Sequence, residues 1–136
     1  MVQFVDRAEA TDAVDGFVSS WLARDIALNA TFLTEDFVLW NNCDRVEVAK
    51  PLAVRYFRRL LTVMRGNRYD DVRRMLTPTG MIQQHVASFD TDRGSFKAIP
   101  MLLVFATRGS KVARCDEYLD ATGLPTLEWP DGAKFL

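Results

Sequence analysis

Histidine occurs once in the 136 residues and cysteine only twice. A lone His excludes a His-rich zinc site and any mechanism built on two imidazoles. Two Cys cannot form a disulfide framework, so a reducing, cytoplasmic setting is expected. Charge of one sign is also lacking, with 17 Lys+Arg against 18 Asp+Glu. Phosphate backbones are bound by a cationic excess, so no nucleic-acid partner is expected. No apolar run approaches the roughly 20 residues of a spanning helix, and the N-terminus lacks the basic-then-apolar order of a signal peptide; no membrane role is expected. There is no G-x-S-x-G, Walker or Rossmann fingerprint. Cys43 and Cys115 lack C-x-x-C spacing, and Asp90, Asp92 and Gly94 offer too few ligands for a calcium loop. Neither a metal nor a cofactor is therefore expected.

What is present is enough apolar material for one core, 49% of the chain. No repeat or linker divides it, and a single domain over residues 1–136 is expected, with its core at about 6–124 and an irregular tail at 125–136. Asp6 followed by Glu9 has the spacing of a capping box. Val14, Phe17, Val18, Trp21 and Leu22 then form one apolar helical face. A short helical turn is expected at Ile26–Ala30 and a strand at Phe37–Asn42. Pro51 suits the first turn of a further helix, whose inward stripe is Val54, Phe57, Leu60, Leu61 and Met64, ended by Gly66-Asn67. Tyr69–Thr77, Met81–Phe89, Ser95–Thr107 and Lys111–Asp120 read as four strands with breaks short enough for antiparallel hairpins. Pro100 within the third calls for an edge position or a bulge. Helices first and strands after predict an α+β domain, a cone of N-terminal helices on a strongly curved, mainly antiparallel sheet, with room for a small molecule at its open end.

Side chains alternate across a strand. On Met81–Phe89 one face carries Gln83, His85, Ala87 and Phe89; on Lys111–Asp120 one face carries Ala113, Cys115, Glu117 and Leu119. The faces with Phe89 and Leu119 are the expected inner ones, which brings His85 and Glu117 to one apolar cavity. Val38, Trp40 and Asn42 share a face of the earlier strand. A carboxylate beside an imidazole would favour the charged ring and hold its pKa near working pH, letting His85 give or take a proton. Asn42 would orient water or a substrate oxygen. A half-exposed His, or a Glu117 that pairs with Arg114 or Lys111, is the plainer alternative. The run Arg55, Arg58, Arg59, Arg65, Arg68, Arg73 and Arg74, interspersed with Asp70 and Asp71, reads as a solvated face.

The helical first half, Phe37-Val38-Leu39-Trp40-Asn41-Asn42, Leu60-Leu61-Thr62-Val63-Met64 and the closing Cys115-Asp116-Glu117-Tyr118-Leu119-Asp120 together resemble the nuclear-transport-factor-two-like superfamily. Within it, the resemblance is to the limonene epoxide hydrolase and SnoaL-like polyketide cyclase branch. The hydrolases position water with a Tyr, an Asn and an Asp; here Trp40 stands for the Tyr, Asn42 matches the Asn and Glu117 replaces the Asp. Their Arg-x-Asp triplet reads His85-Val86-Ala87, so the expected general acid is absent and His85 sits at the arginine position. The pocket positions implied are Leu60, Met64, Phe89, Ile99, Met101 and Leu119. The resemblance also implies a homodimer formed through the open sheet face.

These readings lead to a cofactor-free acid/base enzyme acting on a small, apolar, oxygenated molecule, with His85, Glu117 and Asn42 as its chemistry. Epoxide opening by an internal hydroxyl or by water is the favoured reaction. A ketosteroid-isomerase-like isomerase or a dehydratase is the first alternative. The second is a binding domain without catalysis, which Ala87 supports.

Overall fold

Residues 2–120 are described in the structure, a computed structural model. Its elements run α1 (Arg7–Leu22), α2 (Ile26–Thr31), β1 (Leu33–Asn41), β2 (Val48–Ala49), α3 (Lys50–Val63), β3 (Arg65–Thr77), β4 (Gly80–Thr91), β5 (Gly94–Arg108) and β6 (Lys111–Leu119). The tail expected at 125–136, with Pro125, Trp129-Pro130 and Gly132, lies outside the described residues.

Both early helices start on a carboxylate. Asp6 accepts from the Glu9 amide at 2.9 Å and Asp25 from the Leu28 amide at 3.0 Å, each satisfying an amide that the helix leaves free. The apolar face of α1 is buried through Val14, Phe17, Val18 and Trp21. Its Gly16 is required by packing, because a Cβ there would stand 2.1 Å from the Phe32 ring. Helix α3 has Pro51 in its first turn and ends at Val63. It stops before Gly66-Asn67, which belong instead to β3, and Arg24 caps it by donating to the Met64 carbonyl at 2.8 Å.

The sheet has six strands in the order β2-β1-β6-β5-β4-β3, antiparallel except for the β1–β6 pair. The two-residue β2 is too short to register in the sequence pattern. Helices cover one face, and Phe17, Trp21, Phe57 and Phe105 interlock there edge-to-face, with Phe17 and Phe105 centroids 5.3 Å apart. The fold is therefore the expected α+β arrangement of helices on a mainly antiparallel sheet.

Three register rows cross the inner, helix-facing side of the sheet. Leu39, Cys115, Phe105, Met81 and Leu76 form the innermost. Asn41, Glu117, Leu103, Gln83 and Arg74 form the second, and Leu119, Met101 and His85 the third. Pro100 lies just past the end of β6. Its carbonyl faces the β6 side, accepting from the Asp120 amide at 3.3 Å, so its missing N–H falls where β5 has lost its neighbour. A register shift between Ala87 and Phe89, opposite a left-handed Ala98 (φ 55°), makes the neighbouring bulge.

Candidate active site

His85 and Glu117 do share the inner face, but they are not a pair. Met101 and Leu103 of β5 stand between their strands, a separation of roughly 10 Å at the usual strand spacing. Among the described residues no hydrogen bond or ion pair joins them. The expected effect on the imidazole is reversed as a result. His85 is 2% exposed, and burial alone lowers its pKa to about 4, so the ring is neutral at ordinary pH. Burial acts in the opposite sense on Glu117, raising its carboxyl to about 7. Of the two, Glu117 is the group poised to exchange a proton near neutrality.

Each has its own surroundings. Tyr69 of β3 stacks on the His85 ring with centroids 3.7 Å apart and planes 19° from parallel. Tyr69 also packs against the buried core that α1 helps to supply. His85 Nδ1 lies 3.0 Å from the Gln83 amide nitrogen, and His85 Nε2 is buried with no hydrogen-bond partner among the described residues. Glu117 faces Tyr56, Tyr69 and Cys115. Burial first and the Glu117 charge second push all three side chains to higher pKa.

Trp40 and Asn42 are engaged in other contacts, although Asn42 lines the same cavity as His85. Trp40 packs on Tyr118 at 5.2 Å on the opposite, outer face of the sheet. Asn42 is a strand staple: its amide donates to the Leu119 carbonyl and its oxygen accepts from the Leu119 amide, each at 3.0 Å. The buried positions of β1 are Phe37, Leu39 and Asn41, not Val38, Trp40 and Asn42. Either alternation runs apolar, apolar, Asn, so hydrophobicity could not choose between the two faces. Asn41 is the residue in register with Glu117, and its oxygen accepts from the Cys43 and Asp44 amides at 2.9 Å each, closing the turn after β1.

Of the expected apolar lining, Met101 and Leu119 line that cavity as well. Phe89 is buried and pairs with Phe96 at 5.2 Å; Leu60 and Met101 pack against the core; Met64, Ile99 and Leu119 are half-buried. The cavity, about 530 Å³ at this end of β4, β5 and β6, is lined by Asn42, His85, Met101 and Leu119 together with outer-face residues such as Gln84 and Tyr118. Strand parity points Gln84 and Tyr118 to the outer side, and Glu117 is not among the lining residues. Among the described residues no cluster of three or more His, Cys, Asp or Glu could hold a metal, and no helix is long and apolar enough to cross a membrane.

No family model matches the sequence, and no curated protein matches it by sequence. Solved structures do match its shape. A Xanthomonas campestris protein assigned as a polyketide cyclase superposes with a TM-score of 0.73 at 19% identity, over 85% of this chain and 93% of that one. An LEH-like epoxide hydrolase of Mycobacterium tuberculosis gives 0.72 at 15% identity, over 85% of each chain. A nuclear-transport-factor-two-like protein of Burkholderia xenovorans gives 0.73 at 13%, over 88% of this chain and 95% of that one. The chain has the nuclear-transport-factor-two-like fold.

Within this nuclear-transport-factor-two-like fold, several residues with site geometry escape sequence reasoning. Tyr69 reads only as a strand start, Gln83 as a polar neighbour on the face of His85, and Arg74 as one of a run of surface arginines. Asn67, expected to end a helix, lies in β3 with both amide atoms buried and without partners among the described residues. A bulge links Tyr69 and Arg74. Tyr69 is in register with Ala87 and Arg74 with Gln83, five residues on β3 against four on β4, with Asp71 left-handed at φ 55° between them. The extra residue lets both side chains face inward, one on either side of His85. A repeated parity signal cannot reveal such a device, because the bulge is what breaks the parity.

Proposed function

We propose that the chain is an acid/base enzyme whose inner sheet face takes a small, apolar, oxygen-bearing molecule. Its favoured reaction is the opening of an epoxide by water or by an internal hydroxyl. One observation carries the reading: a carboxyl titrating at about 7 and a buried ring nitrogen without a partner among the described residues belong to the same sheet face. An orphaned buried polar atom costs about 1–3 kcal/mol, a cost that a ligand bonded to it would remove.

In this reading Glu117, as carboxylate, takes the proton of the attacking hydroxyl while the nucleophile oxygen bonds to an epoxide carbon and the ring C–O bond breaks. The departing oxygen gathers negative charge next to the neutral His85 ring, which stabilises it by hydrogen bonding without being charged. The alkoxide then takes a proton from water, and protonated Glu117 returns its proton to solvent, which completes the hydroxyl product and regenerates the carboxylate. The similarity to a polyketide cyclase and an epoxide hydrolase supports the choice of class, and His85 standing at the arginine position of the hydrolases' triplet supports the strand. We place the enzyme in the cytoplasm and propose that it forms a homodimer through the outer face, where Tyr118 is 42% exposed.

Ala87 supports a second reading. It is buried against Tyr69 where the related hydrolases carry their acid, and a chain without that acid could bind and not react. A panel of epoxides, enones and hydroxy-epoxides assayed with wild type, Glu117→Gln and His85→Gln separates these. Epoxide turnover that falls at least tenfold in both variants supports the proposal. Enone isomerisation alone moves the protein to the isomerase class, and binding without turnover of any panel member moves it to the binding class.

A further inference from the structure

A chain of side chains runs from the surface to His85. Asp15 of α1 accepts from Arg74 Nη1, Arg74 Nε donates to Gln83 Oε1 at 2.9 Å, and the Gln83 amide nitrogen lies 3.0 Å from His85 Nδ1. The direction of every bond in this chain is forced. A guanidinium carries donors and no acceptor, so it must meet the oxygen end of the Gln83 amide. That turns the NH₂ end toward the imidazole, where it can only donate. His85 Nδ1 is then an acceptor without a proton, and in a neutral ring the proton must sit on Nε2.

We propose that Arg74 and Gln83 are positioning residues that fix His85 as the Nε2–H tautomer, so that the site presents a neutral hydrogen-bond donor to an acceptor oxygen of its ligand. The inference rests on the inner face being the functional site. It also narrows the ligand class. An N–H with no partner suits a carbonyl, ether or epoxide oxygen, or an alkoxide forming from one; it does not suit an ammonium or another donor-only group. Burial agrees, since it disfavours the imidazolium that would erase the difference between the two nitrogens. Asp15, exposed on α1, holds the outer end of Arg74, and the left-handed Asp71 bulge of β3 turns Arg74 toward Gln83.

Because the chain has one histidine, the tautomer can be read directly. Long-range ¹H–¹⁵N correlation on ¹⁵N-labelled, ligand-free protein at pH 7 gives two ring-nitrogen signals. The expected result is a proton-bearing Nε2 and a bare Nδ1 in a single tautomer. Gln83→Glu replaces the donor with an acceptor, so Nδ1 should gain a proton, by tautomer reversal or by double protonation. Arg74→Met frees the Gln83 amide to turn, and the two signals should move toward the average of a mixture. A wild-type ring protonated on Nδ1, an even mixture in wild type, or a Gln83→Glu ring unchanged from wild type overturns the proposal. The wild-type spectrum decides even if a variant fails to fold. The measurement needs no substrate, so a catalytically silent protein with the expected tautomer sinks the enzymatic reading and leaves this one standing.

Discussion

Tyr69 lies flat against His85, 3.7 Å between ring centroids and with planes 19° from parallel. The stack shields one face of the imidazole from water and helps to keep it neutral. Removing it should let water reach the ring. In Tyr69→Leu the His85 pKa is expected to climb from about 4 toward 6.5, followed by an NMR pH titration of the single His ring. Tyr69→Phe keeps the stack and should leave the value low. A ring that still titrates near 4 in Tyr69→Leu would assign the shift to the rest of the pocket.

The two buried groups have opposing proton linkages. Folded Glu117 holds its proton up to about 7, whereas an unfolded Glu releases it near 4.5. Folded His85 releases its proton at about 4, whereas an unfolded His keeps it to 6.5. Between about pH 4.5 and 6.5, folding therefore shifts one proton's worth of occupancy from His to Glu with no net uptake by this pair. Single variants should expose each half. Glu117→Gln leaves His85 alone, and stability should be lost as pH falls from 6.5 toward 4. His85→Asn leaves Glu117 alone, and stability should be lost as pH rises from 4.5 through 7. Urea denaturation read against wild type at each pH should show differences of about 1–3 kcal/mol across each window. Parallel pH curves for all three proteins would refute the linkage.

Turnover should follow Glu117 and not His85. If the carboxylate is the base, kcat/KM should rise through a single inflection near pH 7, and Glu117→Gln should flatten the profile while lowering it at least tenfold. An inflection near 6.5 that survives Glu117→Gln would restore the imidazole as the titrating catalyst.

Asn42 and Trp40 should affect stability more than chemistry. Asn42→Ala leaves both the Leu119 amide and its carbonyl without their side-chain partner, and a loss of about 1–3 kcal/mol is expected in chemical denaturation. Trp40→Leu on the outer face should leave kcat within about twofold, within the ±0.5 kcal/mol typical of changes remote from a site. A hundredfold loss of kcat in a well-folded Asn42→Ala would return that residue to the chemistry.

Gly80 should be the least replaceable glycine of the sheet. A Cβ there would lie 2.0 Å from the Phe105 carbonyl oxygen, on backbone that cannot swing aside as a side chain can. Gly80→Ala is expected to destabilise the fold by at least about 2 kcal/mol, measured by urea denaturation.

Periodicity was sufficient for most of the fold. The face of α1, the inner parity of β4 and β6, the hairpins and the irregularity at Pro100 all follow from apolar spacing and turn chemistry. His85 and Glu117 were located by the same logic. Their relationship was not, because alternation tells which face a residue occupies and says nothing of how many strands intervene. Trp40 is not legible as an outer-face residue because both sides of β1 are apolar. Arg74 and Tyr69 stayed hidden because a bulge changes parity between them, and a single extra residue leaves no mark in composition or period.

That bulge has a consequence for how this protein can change. Tyr69 and Arg74 are odd-spaced partners of one ring, held to the same side by one surplus residue at Asp71. Losing the bulge at this length would turn either the stacking tyrosine or the anchoring arginine to solvent, whereas deleting one residue between them would leave an even spacing of four that a straight strand keeps on one face. Lineages that keep this length without the bulge would therefore carry a differently wired imidazole, and those one residue shorter would not. In comparing such chains, the length of this strand is as informative as the residues aligned along it.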